Sequence, residues 1–284
     1  MNLTSVYMRD GTLLPVYKTL APADPHHAVV MLHGITTDMD TLAASAEQAA
    51  DKLNTTVYLP VLRGYHHNKR KATIVRTSQF DEDIEDLLRH FQSRHSFVTL
   101  AGHSMGAGNV LRYLQEKGTA EVSASFLAAP FLHPAHPVFH SFESDNKAYT
   151  ISLKKAVAAG FLTRMGLSSA GHWKIAEIPI RTHPLDSRSA TYRKQLSFRL
   201  LTSRFITRPT DFQGISTENM HILCGKNDEV VDFSKLDSFL KEYRFPEVTS
   251  AGAEDHMSVL TSRAFLESME QALQKAEAGH SIHQ

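Results

Sequence analysis

The chain has 284 residues, 42% of them hydrophobic, which is enough for one large α/β domain or two small ones around a sizeable core. Thirty Lys and Arg balance thirty Asp and Glu, so no global basic field speaks for nucleic acid and no acidic bulk speaks for a disordered tail. The single cysteine, Cys224, excludes an internal disulfide and a cysteine-based zinc cluster, and its place after "MHIL" predicts a buried strand-end thiol rather than a nucleophile.

The opening "MNLTSVYMRDGTLLPVYK" has no apolar run after a basic start, and no stretch approaches the roughly 18 apolar residues of a membrane span. A cytoplasmic protein without a transmembrane segment is expected. Asp10-Gly11 between two strand-like runs predicts an antiparallel hairpin. Six apolar or β-rich runs then alternate with helical patterns: "AVVML" to Leu32, "TTVYLP" to Pro60, "FVTLAG" to Gly102, "VSASFLAAP" to Pro130, "MHILCG" to Gly225 and "PEVTS" to Ser250. Such alternation predicts an α/β fold, with a mostly parallel sheet and helices on both faces. Leu42, Ala46, Ala49, Ala50 and Leu53 share one helix face, as do Phe80, Ile84, Leu87, Leu88 and Phe91 of the next, which Ser78 can cap. Phe265, Leu266, Met269 and Leu273 repeat the pattern near the end, and all three stripes read as core.

The alternation breaks down from about Phe131 to Phe212, which reads as an insertion with twelve Lys and Arg against five Asp and Glu. Its charge of +7 is balanced by −7 elsewhere. His133, His136 and His140 fall in it, but Pro134 interrupts helical spacing and no carboxylate precedes Glu143, so they read as polar loop residues and no metal is expected.

"LAGHSMGAG" places Ser104 in the form G-x-S-x-G, between a strand and a helix that Gly118 can end. A serine hydroxyl is a weak nucleophile and needs a base, a group to orient that base, and donors for the oxyanion. The loop "HGITTD" after an earlier strand offers the Ile35 amide as one donor, beside that of Met105. Asp228 in "CGKNDEVVD" and His256 in "EDHMS" each follow a later strand, and the order Ser, Asp, His suits this scaffold. Asp232 reads instead as a helix cap, and Glu254 and Asp255 lie too close in sequence to His256 to orient its ring. His33 and His103 are candidate substrate-binding residues, with His33 alternatively a loop brace. Trp173, the only tryptophan, lines the pocket or anchors the insertion, and His66 and His67 lie on a loop where surface display competes with substrate contact.

With these motifs at successive places, the chain resembles the α/β-hydrolase-fold serine hydrolases over nearly its whole length. "GHSMGAG" and "FLAAPFL" resemble the monoacylglycerol lipase, lysophospholipase and carboxylesterase branch. "VLRGYHHN" stands where many relatives carry D-x-R-G-H-G-x-S, with Val61 in place of the acid and His66-His67-Asn68 in place of the glycine and serine turn. The resemblance implies a hydrolase core of residues 1–130 and 213–284 and a helical cap of residues 131–212 over the active site. It also implies acyl transfer through an acyl-enzyme on Ser104, without a cofactor, on a small-molecule acyl ester such as a monoacylglycerol or lysophospholipid. Thioester or C–C bond hydrolysis on the same residues is the alternative chemistry, and a non-catalytic binding protein the alternative class. The cap segment "ISLKKAVAAGFLTRMG" reads first as an ordinary helix packed on the core, and alternatively as an amphipathic lid that lines an acyl pocket or makes peripheral contact with anionic lipid.

Overall fold

The computed structural model describes residues 1–20, 26–36, 39–65, 71–133, 136–140, 150–180 and 192–280. The chain opens with β1 (Asn2–Tyr7) and β2 (Leu13–Lys18), an antiparallel hairpin closed around Asp10-Gly11. Gly11 takes φ of 78° there, and the Met8 carbonyl accepts from its N–H at 2.8 Å. Then follow β3 (His27–Leu32), α1 (Met39–Leu53), β4 (Thr56–Pro60), β5 (Lys71–Ala72), α2 (Gln79–Gln92), β6 (Phe97–His103), α3 (Met105–Lys117) and β7 (Ala124–Ala128). After the insertion come β11 (Met220–Cys224), α6 (Phe233–Glu242), β12 (Thr249–Ser250) and α7 (Arg263–His280).

The main sheet has eight strands in the order β1-β2-β4-β3-β6-β7-β11-β12, antiparallel as far as the β2–β4 pair and parallel beyond it. All six runs expected as strands are present. Strands β4 and β7 are buried along their whole length, which is why they read as continuous apolar runs rather than alternating ones. Helix α1 packs with α7 and α2 with α3 to cover the sheet. The expected stripes enter this core: Leu42, Ala46 and Ala49, then Phe80, Ile84 and Leu87, then Phe265 and Met269 are all buried.

Local signals fared unevenly. Gly118 ends α3 with φ of 76°, its N–H on the Leu114 carbonyl, and Asp232 caps α6 through the Lys235 amide. Ser78 stands at the start of α2 without capping it, because its hydroxyl donates to the Glu82 carboxylate 2.9 Å away.

The insertion contains β8 (Thr150–Ile151), α4 (Leu153–Arg164), β9 (Lys174–Ile180), β10 (Tyr192–Ser197) and α5 (Phe198–Thr202). Besides helices it carries three strands of a four-stranded sheet in the order β5-β10-β9-β8, a sheet that the sequence pattern does not predict. This second sheet recruits β5 from outside residues 131–212. Helix α4 departs from the expected packing. Leu153, Val157, Phe161 and Met165 recur every fourth residue and are 72%, 66%, 64% and 69% exposed. Its inward side is the small one: Ala159 is fully buried, and a Cβ added to Gly160 would lie 3.2 Å from the Phe198 ring. Close approach to Phe198 therefore favours a glycine at 160, while Leu153, Val157, Phe161 and Met165 are left outside.

Candidate active site

Four loops at the carboxyl ends of parallel strands meet at one place, as ligand sites on α/β sheets do. Ser104 forms the junction between β6 and α3, with φ of 55° and ψ of −122°, a conformation costly for a residue with a Cβ. It is held by its backbone: its N–H donates to the Ala128 carbonyl at 2.9 Å, and its carbonyl accepts from Phe131 at 3.0 Å. The flanking glycines exist because other backbone occupies their side-chain space. A Cβ on Gly102 would lie 2.4 Å from the Gly106 carbonyl carbon, and one on Gly106 would lie 2.1 Å from the Leu32 carbonyl oxygen. The turn is thus wedged between the helix it starts and the end of β3.

The loop after β3 passes directly beside the serine, since a Cβ on Gly34 would stand 3.4 Å from Ser104 Cβ. Met105 opens α3, so its N–H has no partner within the helix. Among the described residues neither the Ile35 nor the Met105 amide donates a hydrogen bond.

Asp228 lies on the loop after β11, 3% exposed. Its Oδ1 accepts from the Val230 and Val231 amides, both at 2.8 Å, and its Oδ2 meets His256 Nδ1 at 2.9 Å. Burial pushes this carboxyl upward, but the hydrogen bond and charge of His256 and the two amides outweigh it and hold it below the ordinary carboxylate range. His256 itself sits on the loop after β12, its N–H donating to Glu229 Oε2 at 3.0 Å. Its ring centroid is 4.8 Å from that of His103, the residue before Ser104. The Cys224 thiol, buried at the end of β11, is 3.8 Å from Asp228 Oδ2.

The remaining candidates take different places. His103 is buried and donates from Nε2 to the His256 carbonyl at 2.8 Å. Burial, together with the charge of His256, pushes His103 down to about 3, so the ring is a neutral donor. His33 is buried with Nδ1 on the Gly34 carbonyl at 2.7 Å, while its Nε2 accepts from the Leu62 amide at 3.1 Å. Trp173 stands between a short 3-10 turn and β9, 42% exposed, and among the described residues it makes no hydrogen bond or ring contact with Ser104, Asp228 or His256. Asp255 is occupied by the Met257 and Ser258 amides. His133 lies edge-on to Phe205 and His136 to Phe239. Among the described residues no group of three His, Cys, Asp or Glu side chains is arranged to hold a metal. His66 and His67 lie outside the described residues. Sequence reasoning passed over Glu229, which adjoins Asp228 and fixes the His256 backbone, and Arg204, whose guanidinium reaches the carbonyls of His33 and Gly34.

Comparison with known proteins bears on the family and the fold. The family Hydrolase_4, described as serine aminopeptidase, S33, matches residues 23–251. No curated protein matches the chain by sequence. Among solved structures, a monoglyceride lipase from Saccharomyces cerevisiae in complex with a substrate analogue superposes with a TM-score of 0.67 at 14% identity, covering 97% of this chain and 95% of that one. DcsB, in complex with its substrate analogue, gives 0.65 at 13% identity over 98% and 99% of the two chains. Est1E from Butyrivibrio proteoclasticus gives 0.59 at 13% identity over 96% and 100%. At these identities the likeness establishes the fold. Among the described residues no helix is long and apolar enough to cross a membrane.

Proposed function

The chain belongs to the serine aminopeptidase S33 family of α/β hydrolases, and from that premise we propose that it hydrolyses carboxylic esters of apolar acyl groups through an acyl-enzyme on Ser104. The observation that carries the reading is the 2.9 Å contact between His256 Nδ1 and a buried, ionised Asp228 beside the strained serine turn. In this mechanism His256 Nε2 takes the proton as Ser104 Oγ attacks the acyl carbonyl. Asp228 fixes the tautomer and stabilises the imidazolium, and the Ile35 and Met105 amides receive the oxyanion. The protonated ring then delivers its proton to the departing alkoxide. A water activated by the same ring releases the acid and restores Ser104. His103 and His33 serve as braces: one ties the His256 loop to the serine turn, the other ties the Gly34 carbonyl to the loop after β4.

An apolar acyl substrate is favoured by the monoglyceride lipase likeness and by helix α4. Its exposed Leu153, Val157, Phe161 and Met165 are flanked by Lys154, Lys155 and Arg164, and the helix carries no acidic residue. Apolar surface bordered by cations that make no ion pair among the described residues suits an anionic lipid interface, where the residues 131–212 would act as cap and the enzyme would work from the cytoplasm. The test is a p-nitrophenyl ester series from acetyl to palmitoyl on wild type and Ser104→Ala, with and without phosphatidylglycerol vesicles. Activity that peaks at one chain length and vanishes in the variant supports the reading. Activity on a thioester alone, or none on either, overturns it.

A further inference from the structure

Arg204, just after α5, is completely buried, and among the described residues no carboxylate pairs with it. A guanidinium in that position is costly unless every donor is used. Here the acceptors are neutral and converge from two loops and a helix. Nε donates to Asn109 Oδ1 at 2.7 Å, Nη1 to the Tyr65 hydroxyl at 2.7 Å and to the Gly34 carbonyl at 3.4 Å, and Nη2 to the His33 carbonyl at 2.6 Å. The rings of Tyr65 and Phe80 lie 5.1 and 5.9 Å from the guanidinium carbon.

What it grips matters. The Gly34 carbonyl and the Ile35 N–H are the two ends of one planar trans peptide, so they point in opposite directions. A peptide whose oxygen is drawn toward Arg204, and also toward His33 Nδ1 at 2.7 Å, has its N–H turned the other way. Gly34 lies directly against Ser104, where an added Cβ would stand 3.4 Å from Ser104 Cβ, and among the described residues the Ile35 N–H makes no hydrogen bond, which leaves it available to a group bound at the serine. The same reasoning applies one residue earlier, where Nη2 holds the His33 carbonyl. A positive charge behind both oxygens also polarises the peptides and strengthens their N–H groups as donors.

We infer that Arg204 is a positioning residue that pins the Gly34–Ile35 peptide by its oxygen and so preforms the oxyanion site before substrate arrives. This rests on the function proposed above. It assigns a catalytic consequence to a residue of the insertion that touches no substrate, and it makes the end of the insertion a structural part of the reaction centre.

The test compares wild type, Arg204→Lys and Tyr65→Phe, each first checked for cooperative melting. Lysine keeps the charge but presents a point charge that cannot bridge the two carbonyls and Asn109 together. Three quantities are read: kcat and KM on the best p-nitrophenyl ester, the affinity of a trifluoromethyl ketone with the same acyl chain, and the labelling rate of Ser104 by a fluorophosphonate. Arg204→Lys is expected to lose about 10²-fold in kcat, the scale of one lost oxyanion donor, with KM nearly unchanged and ketone affinity falling in proportion. Tyr65→Phe removes one anchor of Nη1 and is expected to shift kcat and ketone affinity the same way by roughly threefold to tenfold, the scale of one hydrogen bond. It keeps the inference testable where Arg204→Lys does not fold. A folded Arg204→Lys, or failing that Tyr65→Phe, with wild-type kcat and ketone affinity overturns the inference, as does a loss confined to KM. A wild-type protein that neither labels nor hydrolyses overturns the function proposed and takes this inference with it, and is told apart by that result.

Discussion

Helices α3 and α4 are nearly equal in length, at 13 and 12 residues, and opposite in what they do with their side chains. Nine residues of α3 are buried, whereas Ala159 is the only buried residue of α4. Helix α3 starts at the serine and is wedged against β3 at Gly106, so its position is dictated from both sides. Helix α4 buries Ala159 and leaves Leu153, Val157 and Phe161 to solvent. The difference separates two demands on one chain. Reaction geometry needs groups fixed by packing on all sides, while an apolar surface kept out of the core is a candidate for contact with something else.

Substitutions at the two helices should therefore differ in kind. Ser104→Ala at the start of α3 is expected to lower kcat by on the order of 10⁶ with the melting curve unchanged, and Asp228→Asn on the loop after β11 by about 10⁴, both read by steady-state hydrolysis. Gly106→Ala drives a methyl into the Leu32 carbonyl, and urea titration should show a loss near the upper end of overpacking, about 3 kcal/mol.

His103 gives a pH signature to the same region. Its folded value of about 3 lies below that of the unfolded chain, so the unfolded state binds the extra proton. The stability is complete above the unfolded histidine value and is lost as pH falls toward about 3, with a slope of about 1.4 kcal/mol per pH unit for one proton. His103→Gln keeps an N–H donor for the His256 carbonyl but cannot titrate, so melting across that window should become shallower by about one proton.

The smallest effect on stability belongs to α4. Replacing Leu153, Val157 and Phe161 together by serine should move stability by about 0.5 kcal/mol or less per site while abolishing sedimentation with phosphatidylglycerol vesicles. Large destabilisation there would erase the contrast between the helices. Retained vesicle binding would place the lipid contact elsewhere.

The main sheet was legible because each parallel strand is an apolar run closed by Gly or Pro, and because buried helix faces repeat at helical spacing. The loops of the candidate site were legible for a related reason: G-x-S-x-G is a backbone requirement written in side chains, and Asp228 and His256 each follow a strand of the sheet. The second sheet was not legible. Strand β9 places Pro179 and Glu177 among its residues, and β10 buries Lys194, so neither shows a clean alternation. Helix α4 was readable as a helix, but an apolar stripe ordinarily marks the buried face, and only the contact between Gly160 and Phe198 reveals the reversal. Arg204 was one cation among twelve in the insertion, and nothing local distinguishes a buried guanidinium on two carbonyls from a solvated one.

The most direct measurement is the intact mass of the protein seconds after mixing with the best p-nitrophenyl ester, followed by peptide mapping. The account predicts a transient species heavier by one acyl group, carried on the peptide containing Ser104, and absent from Ser104→Ala. Turnover without that adduct, or with the acyl group on another residue, would contradict it.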